Sequence, residues 1–500
     1  MNTFRIALFL LFFSSFLGAT EPPPARLYLQ TKPVTLDPRR TNERRTQIIL
    51  RELFEGLTRI DKSGHPSLAL AHSVDTSSDG LQYIFHLRKS SWSNGSDVTA
   101  HDFERSWKAT IDPSFASPVA HFLFIIKNGQ KAHKKECSLD DVAIHATDDY
   151  TLLVGLERPF PAFFELLASP IFSPVYSGRT SQGKLISNGP FTLKEYNLQS
   201  DVVLEKNPAY WDKDSVLIQQ LHFSIIEDPA TAFALFQKGE LDWYGDPLGI
   251  IPVDSISQLS SKLTQRSVGG MYWLACSRKM AHLTLETRKE ISAAIDRSQL
   301  CRFLNGEERP AFSIMPDILQ EPSASHFDST TPSTATKRCA EIKTSSPLIL
   351  SHWAESTSKA IAQLLQAQLQ RSLGITVELA GYDWSSYIKK LYSGDFDLIT
   401  MAHNPTIQDP LFHLEYINRF FWKEARFSQL IESAKHSTNT KENLIRQAEQ
   451  LTQEYLPIIP LYSLCFKYAK NTRLQGEVIS PIGTIELKWL EWSNTKEGET

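Results

Sequence analysis

From Pro347 to Ala402 the chain switches repeatedly between two hydrophobic periods, and this limits its possible folds more than any other feature. "PLILSHW" (347–353) is a short run of strand formers. "ESTSKAIAQLLQAQLQRSLG" (355–374) follows, with polar residues to cap a helix, an apolar stripe at Ile361, Leu364, Leu365 and Leu369, and Gly374 as a stop. "ITVEL" (375–379) reads as a strand, "WSSYIKKLYSG" (384–394) as a short helix and "FDLITMA" (396–402) as a third strand. Such an order implies a parallel sheet with helices on its faces, because a parallel return needs a crossover. Ligands of open α/β sheets sit beyond the carboxyl ends of the strands. The loops "SHWAEST" (351–357) and "HNPTIQDP" (403–410) occupy that position. The helix beginning near Ser356 would offer backbone N–H groups to an anion. The second loop is neutral: Thr400 to Gln408 contains no acid, Lys or Arg. Asp409-Pro410 reads as the start of the next helix, and Asp395 and Asp397 lie at the far end of the strand.

Other segments carry local signals. Between Asn42 and Leu57, apolar Ile48, Ile49, Leu53, Phe54 and Leu57 recur at helical spacing, and Gly56 stands at the end. "LQYIFHLR" (81–88) is a strand with Tyr83, Phe85 and Leu87 on one face, and Thr99 caps a helix that turns Phe103 and Trp107 inward. "GPFTLKEY" (189–196), "DVVLEKN" (201–207) and "LIQQLHFSII" (217–226) are strands, followed by a helix from Asp228 to Lys238. Residues 320–346, rich in Ser, Thr and Pro, read as a loop.

A chain of 500 residues exceeds one ordinary core and implies roughly two to four domains. Its net charge of −4 leaves no basic face of the kind nucleic acid requires. The first twenty residues place Arg5 before an apolar stretch, Ile6 to Leu17, and then Gly18, Ala19 and Thr20. That is the layout of a secretory leader cleaved after Ala19 or Thr20, shorter than the roughly 20 apolar residues of a membrane span. No Cys precedes Cys137, so lipid attachment just behind the leader is unavailable. Cys137, Cys276, Cys301, Cys339 and Cys465 are scattered, and spacing assigns no pairing, though Cys276 and Cys301 could bridge; a role as small buried residues suits most of them. The glycine-flanked serine, zincin, P-loop and dinucleotide motifs are all missing. His352, His403 and His413 have no partners at i+3 or i+4 and read as polar loop residues, not a metal set. No catalytic residue, metal or cofactor is expected.

Nine segments, met in order, resemble one family. They are "TLDP" (35–38), "LFEGLTRIDKSGHPSLALAHS" (53–73), "DGLQYIFHLRKSSWSNGSDVTAHDFERSWKATIDPSFASP" (79–118), "SNGPFTLKEY" (187–196), "VLEKNPAYWD" (203–212), "KGELD" (238–242), "RKEISAAIDRSQL" (288–300), "YLPIIPLY" (455–462) and "IELKWLEW" (485–492). Together they resemble the large extracytoplasmic solute-binding proteins of ABC importers that carry oligopeptides, dipeptides and nickel, and the oligopeptide branch most. The resemblance implies an α/β, periplasmic-binding-protein-like fold: two lobes joined by a hinge, with an additional domain inserted in the first lobe. On this basis residues 1–20 are the leader, 21–54, 179–275 and 478–500 form lobe I, 55–178 the inserted domain and 276–477 lobe II.

The same resemblance locates a pocket and shows how this chain departs from it. Peptide-binding relatives usually carry a loop like G-W-x-A-D-Y-x-D-P, whose first Asp pairs with the peptide ammonium. Here His403 stands at the Trp, Asn404 next to it, and Thr406 at that Asp. Thr406 has no charge, and a desolvated ammonium without a counterion costs several kcal/mol. Val119 replaces a frequent Tyr, Asn42 a frequent Glu, and Leu391, Thr400 and Ser358 replace basic or His groups. Ala402, His403, Asn404 and Thr406 are thus the expected pocket loop, with Val119, Asn42 and Ser358 as wall positions; Asp409 or a backbone carbonyl is left to receive an amino end. The implied function is capture of oligopeptides in the periplasm by lobe closure and delivery to inner-membrane permease subunits, by a monomer, without enzymatic chemistry. The alternative is another solute on the same scaffold: a modified or γ-linked peptide, a small polar metabolite or a metal complex.

Overall fold

The computed structural model describes residues 22–178, 184–197, 199–259, 262–277, 283–319, 347–437 and 440–493. The leader reading, the loop at 320–346 and Cys339 lie outside these residues. β1 (Ala25–Leu29) and α1 (Arg44–Leu53) come first. Glu43 starts α1, its carboxylate accepting the N–H groups of Arg45 at 3.1 Å and Thr46 at 2.7 Å. The apolar spacing noted in the sequence then buries Ile48, Ile49, Leu50 and Leu53.

The chain next builds a separate core from residues 57–172. It holds β2 (Ala71–Thr76), β3 (Gln82–Leu87), α2 (Ala100–Ile111), β4 (Ile144–Asp148) and β5 (Thr151–Gly155), the strands antiparallel in the order β2-β3-β5-β4. Tyr83, Phe85 and Leu87 face inward on β3, as do Phe103 and Trp107 on α2. The Asp102 carboxylate returns to the Thr99 N–H at 2.9 Å and fixes the start of α2. Afterwards β6 (Phe191–Asn197), β7 (Asp201–Lys206) and β8 (Gln220–Ile225) rejoin β1 in a sheet ordered β1-β8-β7-β6, only the β1–β8 pair being parallel.

The remaining chain forms β9 (Trp243–Gly245), β10 (Leu263–Cys276), β11 (Leu348–Trp353), α3 (Ser356–Leu373), β12 (Val377–Tyr382), α4 (Trp384–Ser393), β13 (Leu398–His403), α5 (Pro410–Phe420) and β14 (Ile458–Lys470). Gly374 ends α3 at φ 65°, a conformation that strains any residue with a Cβ. The six strands run β9-β14-β10-β13-β11-β12. The three strands read from the alternation at 347–402 are indeed parallel to their neighbours β12-β11-β13, but β10 joins β13, and β14 joins β10, in antiparallel fashion. The sheet is therefore mixed, because long-range pairing adds strands that no local crossover dictates. Along β10, Met271, Trp273 and Ala275 enter the core beneath α4 and α5, while Tyr272, Leu274 and Cys276 enter the core beneath α3. Burial on both faces explains the unbroken apolar run.

β10 and β14 are long enough to serve two regions. Val268, Phe466, Tyr468 and Ala469 pack with β1 and α1, whereas Met271 to Cys276 and Ile458 to Tyr462 pack with α3, α4 or α5. The ladder between them loses register between Ser267 and Met271. Among the described residues, no helix is long and apolar enough to cross a membrane.

A buried ion network ties α1 to the chain's last described segment. Arg59 lies 3.5 Å from Glu52, 3.4 Å from Glu55 and 2.9 Å from Glu486, and Arg51 adds a contact to Glu486 at 3.0 Å. Removing one partner from such a group leaves the others charged and dry. Arg59→Met is expected to lower the unfolding free energy by about 3–5 kcal/mol, read from urea titration. A loss below about 1 kcal/mol would show that the network does not hold these segments together.

Candidate ligand-binding cleft

Between the first core, the one built on β1 and α1, the 57–172 core and the mixed sheet lies a cavity of about 1670 Å³. This exceeds the roughly 300–1,000 Å³ that suits drug-sized ligands. All seven positions singled out from the sequence line it: Asn42, Val119, Ser358, Ala402, His403, Asn404 and Thr406. The loops after β11 and β13 both open into it, at the carboxyl ends of parallel strands. The seven are not equally available. Asn42 and Ala402 are exposed and His403, Asn404 and Thr406 half-buried, but Val119 is only 2% exposed and belongs to the 57–172 core. Ser358 is buried, and its N–H is already bonded.

His403 is the aromatic centre of the loop. Its ring stacks 4.8 Å from Trp273 on β10 and 4.4 Å from Tyr416 on α5, with His413 at 5.3 Å. Burial first, then the nearby His413 and Arg44, hold its imidazole well below the usual pKa, so it is neutral at physiological pH. His413 donates from Nε2 to the Ile314 carbonyl at 2.9 Å, and burial lowers its pKa to about 4. Neither His413 nor His352 is a polar loop residue as the sequence suggested; both are buried, His352 at the end of β11 and His413 within α5. Among the described residues no group of three or more His, Cys, Asp or Glu could hold a metal. Cys137, Cys276, Cys301 and Cys465 are free thiols.

The 403–408 loop touches all three bodies. Asn404 donates from Nδ2 to the Ile482 carbonyl at 3.2 Å, and a Cβ on Gly270 would sit 2.7 Å from the Asn404 side chain, which would have to shift to admit it. Ile407 is buried in the 57–172 core, and Gln408 donates its N–H to Glu165 at 2.9 Å. Farther out, Arg158 meets Glu415 at 3.5 Å and Phe122 stacks on Phe412 at 5.8 Å. These contacts cross the cleft, so the walls are closed on one another.

Two expectations change. The first turn of α3 is not open to an external anion: the Glu355 carboxylate accepts the N–H groups of Thr357 at 2.8 Å and Ser358 at 3.0 Å. Asp409 does not face the cavity; it caps α5 through the Phe412 N–H at 2.7 Å and lies 3.8 Å from Lys441. Sequence reading also missed charged groups of the wall, among them Arg44, Arg45, Asp246, Glu308 and Lys467. Arg44 and Arg45 follow Asn42 within the same turn and could have been found from that position. Asp246 follows a three-residue strand with no motif around it.

Burial pushes the Asp246 carboxyl up to about 6, against the pull of the Lys467 N–H and of Arg44, Arg45 and Lys467. A folded-state value above the unfolded one means that the native chain holds an extra proton between about pH 4 and 6. The stability this confers is complete below that window and is lost as pH rises through about 6. Asp246→Asn is therefore expected to raise the thermal midpoint, relative to the parent, more at about pH 7.5 than at about pH 4. An equal difference at both would place the titration elsewhere.

Residues 65–421 match the bacterial extracellular solute-binding proteins, family 5, in that family's middle region. The oligopeptide-binding protein OppA of Bacillus subtilis is 31% identical over 492 residues, covering 91% of this chain and 90% of that protein. The probable deoxycholate-binding periplasmic protein YgiS of Escherichia coli is 28% identical, with 86% of each chain covered. The crystal structure of the substrate-binding domain of an oligopeptide ABC transporter from Bacillus anthracis superposes with a TM-score of 0.83 at 25% identity, covering 94% of this chain and 98% of that one. With more than two-thirds of its sequence inside the family match and a solved relative superposing over nearly its whole length, the chain belongs to the bacterial extracellular solute-binding proteins, family 5.

Proposed function

We propose that this protein is the peptide-capturing subunit of an ABC importer and works by closing two lobes over its ligand. The observation that carries this reading is the large cavity walled from three bodies at the carboxyl ends of β11 and β13. The oligopeptide-binding name of the Bacillus subtilis relative supports the choice of ligand class. Lobe I is drawn from 21–54, 179–275 and 478–500, the inserted domain from 55–178 and lobe II from 276–477, with two boundaries moved from the sequence reading: the packing of the cores favours crossing points near Gly269–Gly270 on β10 and Ser463–Cys465 on β14, so that 271–275 go with lobe II and 466–477 with lobe I. A solute touching both walls favours the closed state by its differential affinity for it, with no covalent step. The loop Ala402, His403, Asn404 and Thr406 meets the ligand from lobe II, with Ser358 behind it, Asn42 from lobe I and Val119 from the inserted domain. The protein is exported through its leader, acts as a periplasmic monomer and docks on permease subunits of the inner membrane.

A second reading, a solute other than a standard peptide, is favoured by the absence of any acid from 400 to 408 and by the different solute named for the Escherichia coli relative. Native mass spectrometry after gentle purification separates the two. Peptides of mixed sequence are expected to co-purify; one defined non-peptide solute would overturn the first reading. Adding a peptide mixture to stripped protein should also reduce the radius of gyration in solution scattering, and an unchanged profile would exclude lobe closure.

Thr406→Asp supplies the missing carboxylate. Peptides with a free amino terminus should then bind about tenfold tighter or more, measured by calorimetry, because a hydrogen bond to a charged group is worth about 1.5–3 kcal/mol. No change for any peptide would show that this loop does not meet the amino end.

A further inference from the structure

Most cations of the cleft are already engaged. Arg45 donates from Nε to the Leu248 carbonyl at 3.0 Å, and Lys467 bonds the Leu304 carbonyl at 2.9 Å and Glu308 at 2.5 Å. Arg158 and Lys435 share Glu415 at 3.5 Å and 3.2 Å. Arg419, Lys423, Lys131 and Lys134 are exposed. Arg44 differs. It is half-buried on the cavity wall, and its guanidinium makes no hydrogen bond or close ion pair among the described residues; the Phe466 ring lies at 5.2 Å, and Asp246 and Glu43 attract it only through space.

Its neighbours place it beside the 403–408 loop. The point where a Cβ on Gly483 would lie is 2.7 Å from the Phe466 ring and 3.1 Å from Nδ2 of Asn404. The nearby acids Asp246 and Glu43 attract Arg44 through space, but the hydrogen bonds of the acids around it go to other groups. Glu43 caps α1, Glu355 caps α3, and Asp246 accepts the Lys467 N–H at 3.1 Å. Burial lowers the Arg44 pKa to about 10, which leaves it charged at neutral pH. An unpaired guanidinium in a site that closes away from water calls for an anion, and its planar fork of donors matches a carboxylate bidentately.

We propose that Arg44 is the anion-recognition group of this cleft and that the captured solute carries a carboxylate where it passes between α1 and the 403–406 loop. This rests on the cleft being a peptide site, as proposed above, and it names the acidic class of solute within that reading. It also gives the neutral loop a complement: the charge that fixes the ligand comes from the opposite wall and has the opposite sign to a carboxylate.

The test uses amidated tripeptides of alanine bearing a single Glu at the first, second or third position, with Gln counterparts, titrated calorimetrically into the purified chain. At least one Glu peptide should bind about tenfold tighter or more than its Gln twin, the ratio of about 10–150 expected for a charged hydrogen bond. Arg44→Gln should abolish the difference; Arg44→Lys, which keeps the charge and loses the fork, should retain part of it and serves if the Gln variant does not fold. Equal binding of every Glu and Gln pair by the parent protein, or discrimination that survives Arg44→Gln, overturns the inference while leaving the peptide reading intact. Failure of the parent to bind any tripeptide overturns both.

Discussion

Two long antiparallel strands join cores that otherwise fold apart, and the cleft exists because they do. β10 and β14 pair from Leu263 with Ala469 at one end to Ala275 with Ile458 at the other. Val268, Phe466, Tyr468 and Ala469 belong to one core and Met271 to Cys276 to others, while between Ser267 and Met271 the ladder loses register around two glycines. A sheet bends where side chains and hydrogen bonds are fewest. This break in register lies next to the loop that leads into the cavity, and the Gly269 N–H there turns to the Pro481 carbonyl at 2.8 Å.

Charge is distributed on the same plan. Where elements must stay fixed, ions are buried and paired, as around Arg59 and Glu486. Across the cleft the contacts are sparser: Arg158 to Glu415 at 3.5 Å, Gln408 to Glu165, and aromatic rings meeting at Phe122 and Phe412. In the closure proposed above, cross-cleft attraction has to stay modest, since a ligand can shift a two-state balance only by its own preference for the closed form. At the end of β13 the neutral imidazole of His403 is held between the Trp273 and Tyr416 rings.

Legibility in the sequence followed the range of the interactions. The helices and strands from 347 to 410 could be read because their periods, Gly374 and Asp409-Pro410 act within a few residues. The mixed character of the sheet could not, since Trp273 finds Pro460 and Met401 only after the chain has folded. Glu355 was visible as part of a polar run, yet its role in filling the first turn of α3 is a matter of side-chain geometry. Arg44 and Asp246 escaped for a similar reason: an unpaired guanidinium is defined by the partners it lacks in space, and a raised carboxyl by the water it has lost.

The position of residues 403–408 follows from these constraints together. His403 ends β13 and is clamped by Trp273 and Tyr416, so the loop begins on the mixed sheet. One residue later, Asn404 reaches the Ile482 carbonyl of the first core, and Gly270 lacks the Cβ that would block it. Ile407 then inserts among the side chains of the 57–172 core, and Asp409 returns the chain to a helix. A loop anchored successively to three bodies cannot keep all its contacts if any one of them swings away.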